Sequence, residues 1–161
     1  MSIDTEQSGK LFTSNNYRLI IDREQLIIKE ATTLTYEEYL LNDGDSFLNE
    51  PLNLSIKKIE RSANFAVKTV STKAIFDYDK LSFPLKIRRW RKGDKFKPLG
   101  MNGNRLLSDF FIDKKLNLFE KENIWLLLSN NDIIWIIGMR TSDKYKVTKN
   151  SKRLFQLSLK S

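Results

Sequence analysis

Ile124-Trp125-Leu126-Leu127-Leu128-Ser129-Asn130-Asn131-Asp132-Ile133-Ile134-Trp135-Ile136-Ile137 is the stretch on which the fold turns. Two apolar runs, rich in branched and aromatic side chains, flank a polar connector, Ser129–Asp132. Runs of this length bounded by Asn and Asp read as a β-hairpin. Working outward, Leu154–Leu159 follows as a strand in which Phe155, Leu157 and Leu159 alternate with polar residues, and Tyr145–Thr148 reads as a strand before it. Upstream, Leu106, Leu107, Phe110 and Phe111 recur at helical spacing. Gly103-Asn104 before them offers a turn and a cap. Further back, Leu85–Arg88, Lys73–Phe76, Asn64–Val70 and the alternating Leu52, Leu54 and Ile56 read as strands, with a turn at Asp77–Lys80. Tyr17–Ile21 and Leu26–Lys29 form a second predicted hairpin, and the acidic, turn-rich Thr35–Glu50 a surface loop. Roughly eight strands and one main helix make a β-rich α+β fold.

The chain has 161 residues, with 28 Lys plus Arg against 20 Asp plus Glu, and neither His nor Cys. The missing Cys excludes disulfides, thiolate nucleophiles and Cys-rich zinc sites; the missing His excludes imidazole bases and Ser-His-Asp triads. Neither a nucleophile nor a base stands out, so binding is favoured over chemistry, with no catalytic residue and no metal site assigned. Met1–Lys10 lacks an apolar signal region, and no apolar run approaches the roughly 20 residues that span a bilayer. A soluble, cytoplasmic chain with no membrane partner is expected.

The net charge of +8 is regional. Residues 1–85 are net −3, residues 86–115 net +7 and residues 116–161 net +4. The central segment carries Lys86, Arg88, Arg89, Arg91, Lys92, Lys95, Lys97, Arg105, Lys114 and Lys115, interleaved with Trp90, Phe96, Phe110 and Phe111. Basic residues beside aromatics suit phosphates and unpaired bases, although the helical spacing of Phe110 and Phe111 is that of a buried face. In a continued strand, Arg89 and Arg91 share one face, opposite Arg88 and Lys92. Gly93, Pro98, Gly100 and Gly103 shape a tight loop whose backbone N–H groups could cradle a phosphate. Asp94 reads as a turn former; Asp109, four residues before Asp113, reads as the partner of a base. Arg140, Lys144 and Lys146 make a second basic cluster. Trp125 and Trp135 read as core, and Gly138 as a bend.

Arg91-Lys92-Gly93-Asp94-Lys95-Phe96-Lys97-Pro98-Leu99-Gly100-Met101, followed by Leu107-Ser108-Asp109-Phe110-Phe111-Ile112-Asp113, resembles the C-terminal domain of the tRNA(Ile)-lysidine synthetase family. Ile133–Arg140 and Asp143–Thr148 resemble its closing strands, and Gly9–Phe12 with Ile21–Arg23 the linker that enters this region. The resemblance implies three segments: a linker at residues 1–11, a β-rich first part at 12–84, and the tRNA-binding domain at 85–161. It implies a β-sandwich-like module of the type also found in the phenylalanyl-tRNA synthetase β subunit. The family's ligase attaches lysine to the wobble cytidine of a minor isoleucine tRNA. ATP (with magnesium) and lysine bind an N-terminal domain whose Ser-Gly-Gly-x-Asp-Ser loop this chain lacks.

On this resemblance the chain is expected to be a C-terminal fragment, inactive alone and without a cofactor of its own. It would grip the acceptor stem and 3′ end of tRNA through Arg88, Arg89, Arg91, Lys92, Lys95, Lys97, Arg105, Lys114, Lys115, Arg140, Lys144 and Lys146, with Gly93, Asp94, Pro98, Gly100 and Gly103 shaping the loop. Lys95 and Lys97 stand where many relatives carry Arg, which replaces bidentate contacts by point charges. The alternative role is a protein-interaction module that forms a homodimer or braces the catalytic domain of the same enzyme.

Overall fold

The structure, a computed structural model, describes residues 8–68 and 70–161. Residues 1–7 of the expected linker, and Thr69 of the expected Asn64–Val70 strand, lie outside these. The first strands are β1 (Leu11–Thr13), β2 (Tyr17–Asp22), β3 (Gln25–Glu30), β4 (Glu38–Leu41), β5 (Phe47–Leu48), β6 (Leu54–Glu60) and β7 (Lys73–Asp77). Then come β8 (Leu85–Arg89), β9 (Lys95–Phe96), β10 (Arg105–Leu106), α1 (Leu107–Asp113) and α2 (Leu118–Glu122). The chain ends with β11 (Trp125–Ser129), β12 (Asp132–Ile136), β13 (Arg140–Thr141) and β14 (Arg153–Leu159).

Two antiparallel sheets pack face to face. One has the order β13-β12-β11-β8-β4, the other β5-β6-β14-β7, so the last strand sits between two much earlier ones. Their shared core takes Leu41, Leu85, Ile87, Trp125, Leu127 and Ile134 from the first sheet and Leu54, Ile56, Phe76, Phe155 and Leu157 from the second. The first sheet is covered on its other face as well. There Leu126, Leu128, Ile133 and Ile136 meet Leu107, Phe110 and Phe111 of α1 together with Phe96. This explains the unbroken apolar runs: a strand buried on both faces has no polar side to alternate with. The hairpin turns at Asn130 and Asn131, both with positive φ (48° and 66°), as a two-residue turn that follows the strand twist requires. Trp125 and Trp135 are buried.

Several predicted elements differ. Thr35–Glu50 is more than a loop: it contains β4 and β5. The charges that disguised β4 are cross-strand partners, since Glu38 pairs with Lys86 and Arg91 (3.0 Å each) at the sheet edge. The described part of Asn64–Val70 forms no strand. Val67 and Val70 are exposed, and only Val70 makes a bridge, to Lys73. Tyr145–Thr148 is a loop rather than a strand: Arg61 donates to Thr148 O, and the end of β7 makes a single backbone bond to it, Asp77 N–H to Tyr145 O at 3.1 Å. Asp77–Lys80 closes as a 3₁₀ turn over Tyr78–Lys80. A second short helix, α2, joins the expected one. It carries a capping box in which the Asn117 side chain accepts the Glu120 N–H and Glu120 accepts the Asn117 N–H. The N-cap of α1 is Leu106, without a side-chain cap, so Asn104 does not play that part.

A third sheet, β1-β2-β3, stands at the N-terminal end. Arg18 ties it to α2 by a bidentate pair with Glu122 (2.8 and 2.6 Å) and lies over the Phe119 ring. Among the described residues, no helix is long and apolar enough to cross a membrane.

Candidate nucleic-acid interface

The glycine-rich loop after β8 begins and ends in two tight turns. Asp94 N–H donates to Arg91 O and Met101 N–H to Pro98 O, and the third residue of each turn, Gly93 (φ 94°) and Gly100 (φ 82°), has the positive φ of a type II turn. Open space surrounds both glycines, so backbone conformation alone demands glycine there. Gly103 has neither a positive φ nor a close neighbour. Pro98 is buried and bridges to Ser142.

Two carboxylates hold this loop. Asp94 accepts both guanidinium arms of Arg88 (2.9 Å each) and the Arg91 N–H (2.7 Å). Asp143 accepts the Gly100 N–H (3.0 Å) and pairs with Lys146 (2.9 Å) and Lys97 (3.5 Å). Arg140 donates to Leu99 O, and Leu99 N–H to Thr141 O. The second basic cluster therefore lies against the loop. The N–H groups of Arg91, Asp94, Leu99, Gly100 and Met101 all serve acceptors within the chain. Those five donors hold the loop's shape, and the exposed lysines give it its charged surface.

The Gly100 N–H and the Lys146 ammonium, with Lys97 beside them, hold the Asp143 carboxyl down to about 2, from an ordinary 3.8. A carboxylate depressed by folding contributes stability that is full above its unfolded value and drains away as pH falls through its folded one. Acid unfolding of the wild type should therefore steepen between pH 4 and pH 2. Asp143→Asn should flatten that segment of a melting-temperature profile taken from pH 5 to pH 2; an unchanged profile would remove Asp143 from this role.

The predicted contact residues fall into three groups. Arg88 and Arg89 are committed to the fold. The Arg88 side chain is only 11% exposed beside Asp94, and Arg89 donates to Glu122 O while stacking 4.4 Å from the Trp125 ring. Because β8 ends at Arg89, the expected alternation of faces through Lys92 does not hold. Arg91 is half exposed and tethered to Glu38, Arg105 is held by Asp113, and Lys97 and Lys146 share Asp143. Arg105 also bonds the Asp109 backbone carbonyl, so its carboxylate partner is Asp113 rather than Asp109.

Lys92, Lys95, Lys114 and Lys115 are exposed and make no ion pair among the described residues. Lys114 and Lys115 follow the C-terminal end of α1, whose seven residues span about 10 Å from the Asp94 end. Lys95, Lys97 and Lys144 share one cleft with Phe96 and Asn104. Asp132 lies there too, paired with Lys144 and hydrogen-bonded at 2.7 Å by Tyr145, whose phenol burial and Asp132 push up to about 12. Such a cleft is a cationic surface with fixed walls. Its chemistry is electrostatic: it suits a phosphate chain.

Residues that the sequence did not single out are Tyr36, exposed, and Leu34 and Leu118, which join Trp90 in a second cleft. Nothing in the local pattern marks them, because they are brought together from three separate segments.

Residues 85–159 match the family described as the TilS substrate C-terminal domain, and residues 2–31 match the TilS substrate binding domain. The chain is 38% identical over 150 residues to tRNA(Ile)-lysidine synthase of Parabacteroides distasonis, covering 93% of this chain and 34% of that protein. It is 32% identical over 148 residues to the synthase of Bacteroides thetaiotaomicron, with 92% and 32% covered. The chain thus spans about a third of the length of these curated relatives. A crystal structure of a TilS C-terminal domain superposes with a TM-score of 0.65 at 19% identity, covering 78% of this chain and 98% of that one, so the fold is shared.

Proposed function

The chain belongs to the tRNA(Ile)-lysidine synthase family as its C-terminal region, and from that premise we propose that it is the tRNA-gripping part of a ligase that joins lysine to the wobble cytidine of minor isoleucine tRNA with ATP. In this reading ATP with magnesium, lysine and the bond-making residues belong to a separate nucleotide-binding domain. This chain holds the acceptor stem and 3′ end. The observation that carries the reading is the meeting of Lys95, Lys97 and Lys144 in one cleft, with the unpaired Lys92 three residues before Lys95 and with Arg140 and Lys146 tied to the same loop. Lys92 and Lys95 are three residues apart, so their Cα atoms lie within about 11 Å and one phosphate backbone can serve both. Arg88 and Arg89 drop out of direct contact in this reading and act as supports.

The test is a titration of the chain with minor isoleucine tRNA, and with a minihelix of its acceptor stem, at two salt concentrations. Affinity should fall by about 0.9 log units per log unit of salt for each phosphate neutralised on a duplex. Salt-insensitive binding, or none at low salt, would sink the proposal.

A second reading, bracing or self-association, rests on a different surface. Phe12, Leu19 and Ile28 stand in register across β1-β2-β3, and Phe12 and Ile28, with Tyr17 and Leu26 nearby, are exposed. An apolar face of this kind favours a protein contact. It lies on the acidic half of the chain, apart from the lysine cleft, so the two readings are compatible.

A further inference from the structure

Trp90 is the one tryptophan that is not buried; Trp125 and Trp135 are 8% and 1% exposed. Its ring is fixed on two sides, with Nε1–H donating to Lys121 O at 2.8 Å and its edge meeting the Phe111 ring at 5.0 Å. The remaining surface opens into a cleft of about 400 Å³. Tyr36, 66% exposed, stands in the same cleft, and Leu34 and Leu118 add apolar contacts. Arg91 and Lys92 line it as well, so an aromatic and aliphatic pocket carries cations beside it. The nearby carboxylate of Glu122 is already matched by Arg18 in a bidentate pair, with both side chains only 16% exposed, and offers little repulsion to an anion.

We infer that this cleft takes one unpaired nucleotide of the bound RNA, its base against Tyr36 and Trp90 and its phosphate on Lys92 and Arg91. Flat aromatic surface next to fixed cations is the chemistry of single-strand binding: every base offers a π face, and each base must bring its phosphate along. An apolar side chain alone would leave the cations idle, and a base-paired nucleotide would present phosphate and leave the rings idle. An unpaired nucleotide uses both halves. Arg91 is poised for this, because its tether to Glu38 is an exposed pair that a phosphate can replace at little cost. The inference rests on the tRNA-gripping reading above and adds to it a subsite for a base, which the lysine cleft does not provide.

The experiment compares two minihelices, one blunt and one ending in four unpaired 3′ nucleotides, on the same 161-residue chain. The tail should tighten binding at least about fivefold and quench tryptophan emission. Tyr36→Ala, on an exposed side chain, should abolish the tail's gain and leave blunt-duplex affinity unchanged; Tyr36→Phe should keep the gain. Trp90→Phe should remove the quenching. Equal binding of the two RNAs, or a gain that survives Tyr36→Ala, overturns the subsite while leaving the lysine cleft standing. Failure of both RNAs to bind overturns both readings. Binding of the tailed RNA alone would support the subsite and overturn the duplex grip.

Discussion

Asp94→Ala should destabilise the chain by about 3 kcal/mol, because it leaves the Arg88 guanidinium buried without its partner. The two side chains are 11% and 12% exposed and meet through two 2.9 Å hydrogen bonds, so water replaces little of what is lost. The same substitution frees the Arg91 N–H and loosens the first turn of the loop. Urea unfolding measures the stability, and a loss below about 1 kcal/mol would mean that the pair behaves as a surface bridge. The double variant Arg88→Met with Asp94→Leu separates charge from shape. Removing both charges avoids the stranded cation, so it should recover much of the stability, yet not the hydrogen bond that shapes the turn.

The other large effect is on binding. Lys92→Ala, Lys95→Ala and Lys144→Ala together should lower the slope of log affinity against log salt by about 2.7, which is roughly 500-fold at 0.1 M salt. Stability should scarcely change, since Lys92 and Lys95 are unpaired and the Lys144–Asp132 pair is exposed. The contrast with Asp94→Ala is the informative part: one variant spoils the fold that presents the lysines, the other removes the lysines from an intact fold. Equal salt slopes for the triple variant and the wild type would move the duplex contact elsewhere on the chain.

Both hairpins were legible because alternation, apolar runs and turn chemistry agree locally. The Asn130-Asn131 turn and the Tyr17–Glu30 pairing need no distant partner to be recognised. β4 was hidden because its reason for being a strand lies in β8 and the residues just after it: Glu38 looks like loop sequence until Lys86 and Arg91 are beside it. Tyr145–Thr148 has strand-like residues but meets the edge strand β7 through one backbone bond, Asp77 N–H to Tyr145 O, rather than a ladder. α2 is only five residues long, and its signal was the spacing of Asn117 and Glu120, a capping box. At the site, the sequence located the cations but not their bookkeeping. Asp143 reaches Lys97 and Gly100, and Asp132 reaches Lys144, only through tertiary packing. Which lysines stay free is a property of the fold.

The place of β14 has a consequence for how the chain is made. β6 and β7 pair with it on either side and not with each other. Until residues 153–159 leave the ribosome, the second sheet has an empty centre, and Leu54, Ile56 and Phe76 have no finished layer to join. The first sheet can close the face that α1 covers, while the face it shares with that layer stays open. The loop that carries the lysines precedes that strand in the chain, and the sheet behind it keeps one open face until β14 arrives. A stop before residue 153 would yield a chain with every cation of the site in its sequence and no central strand for the second sheet.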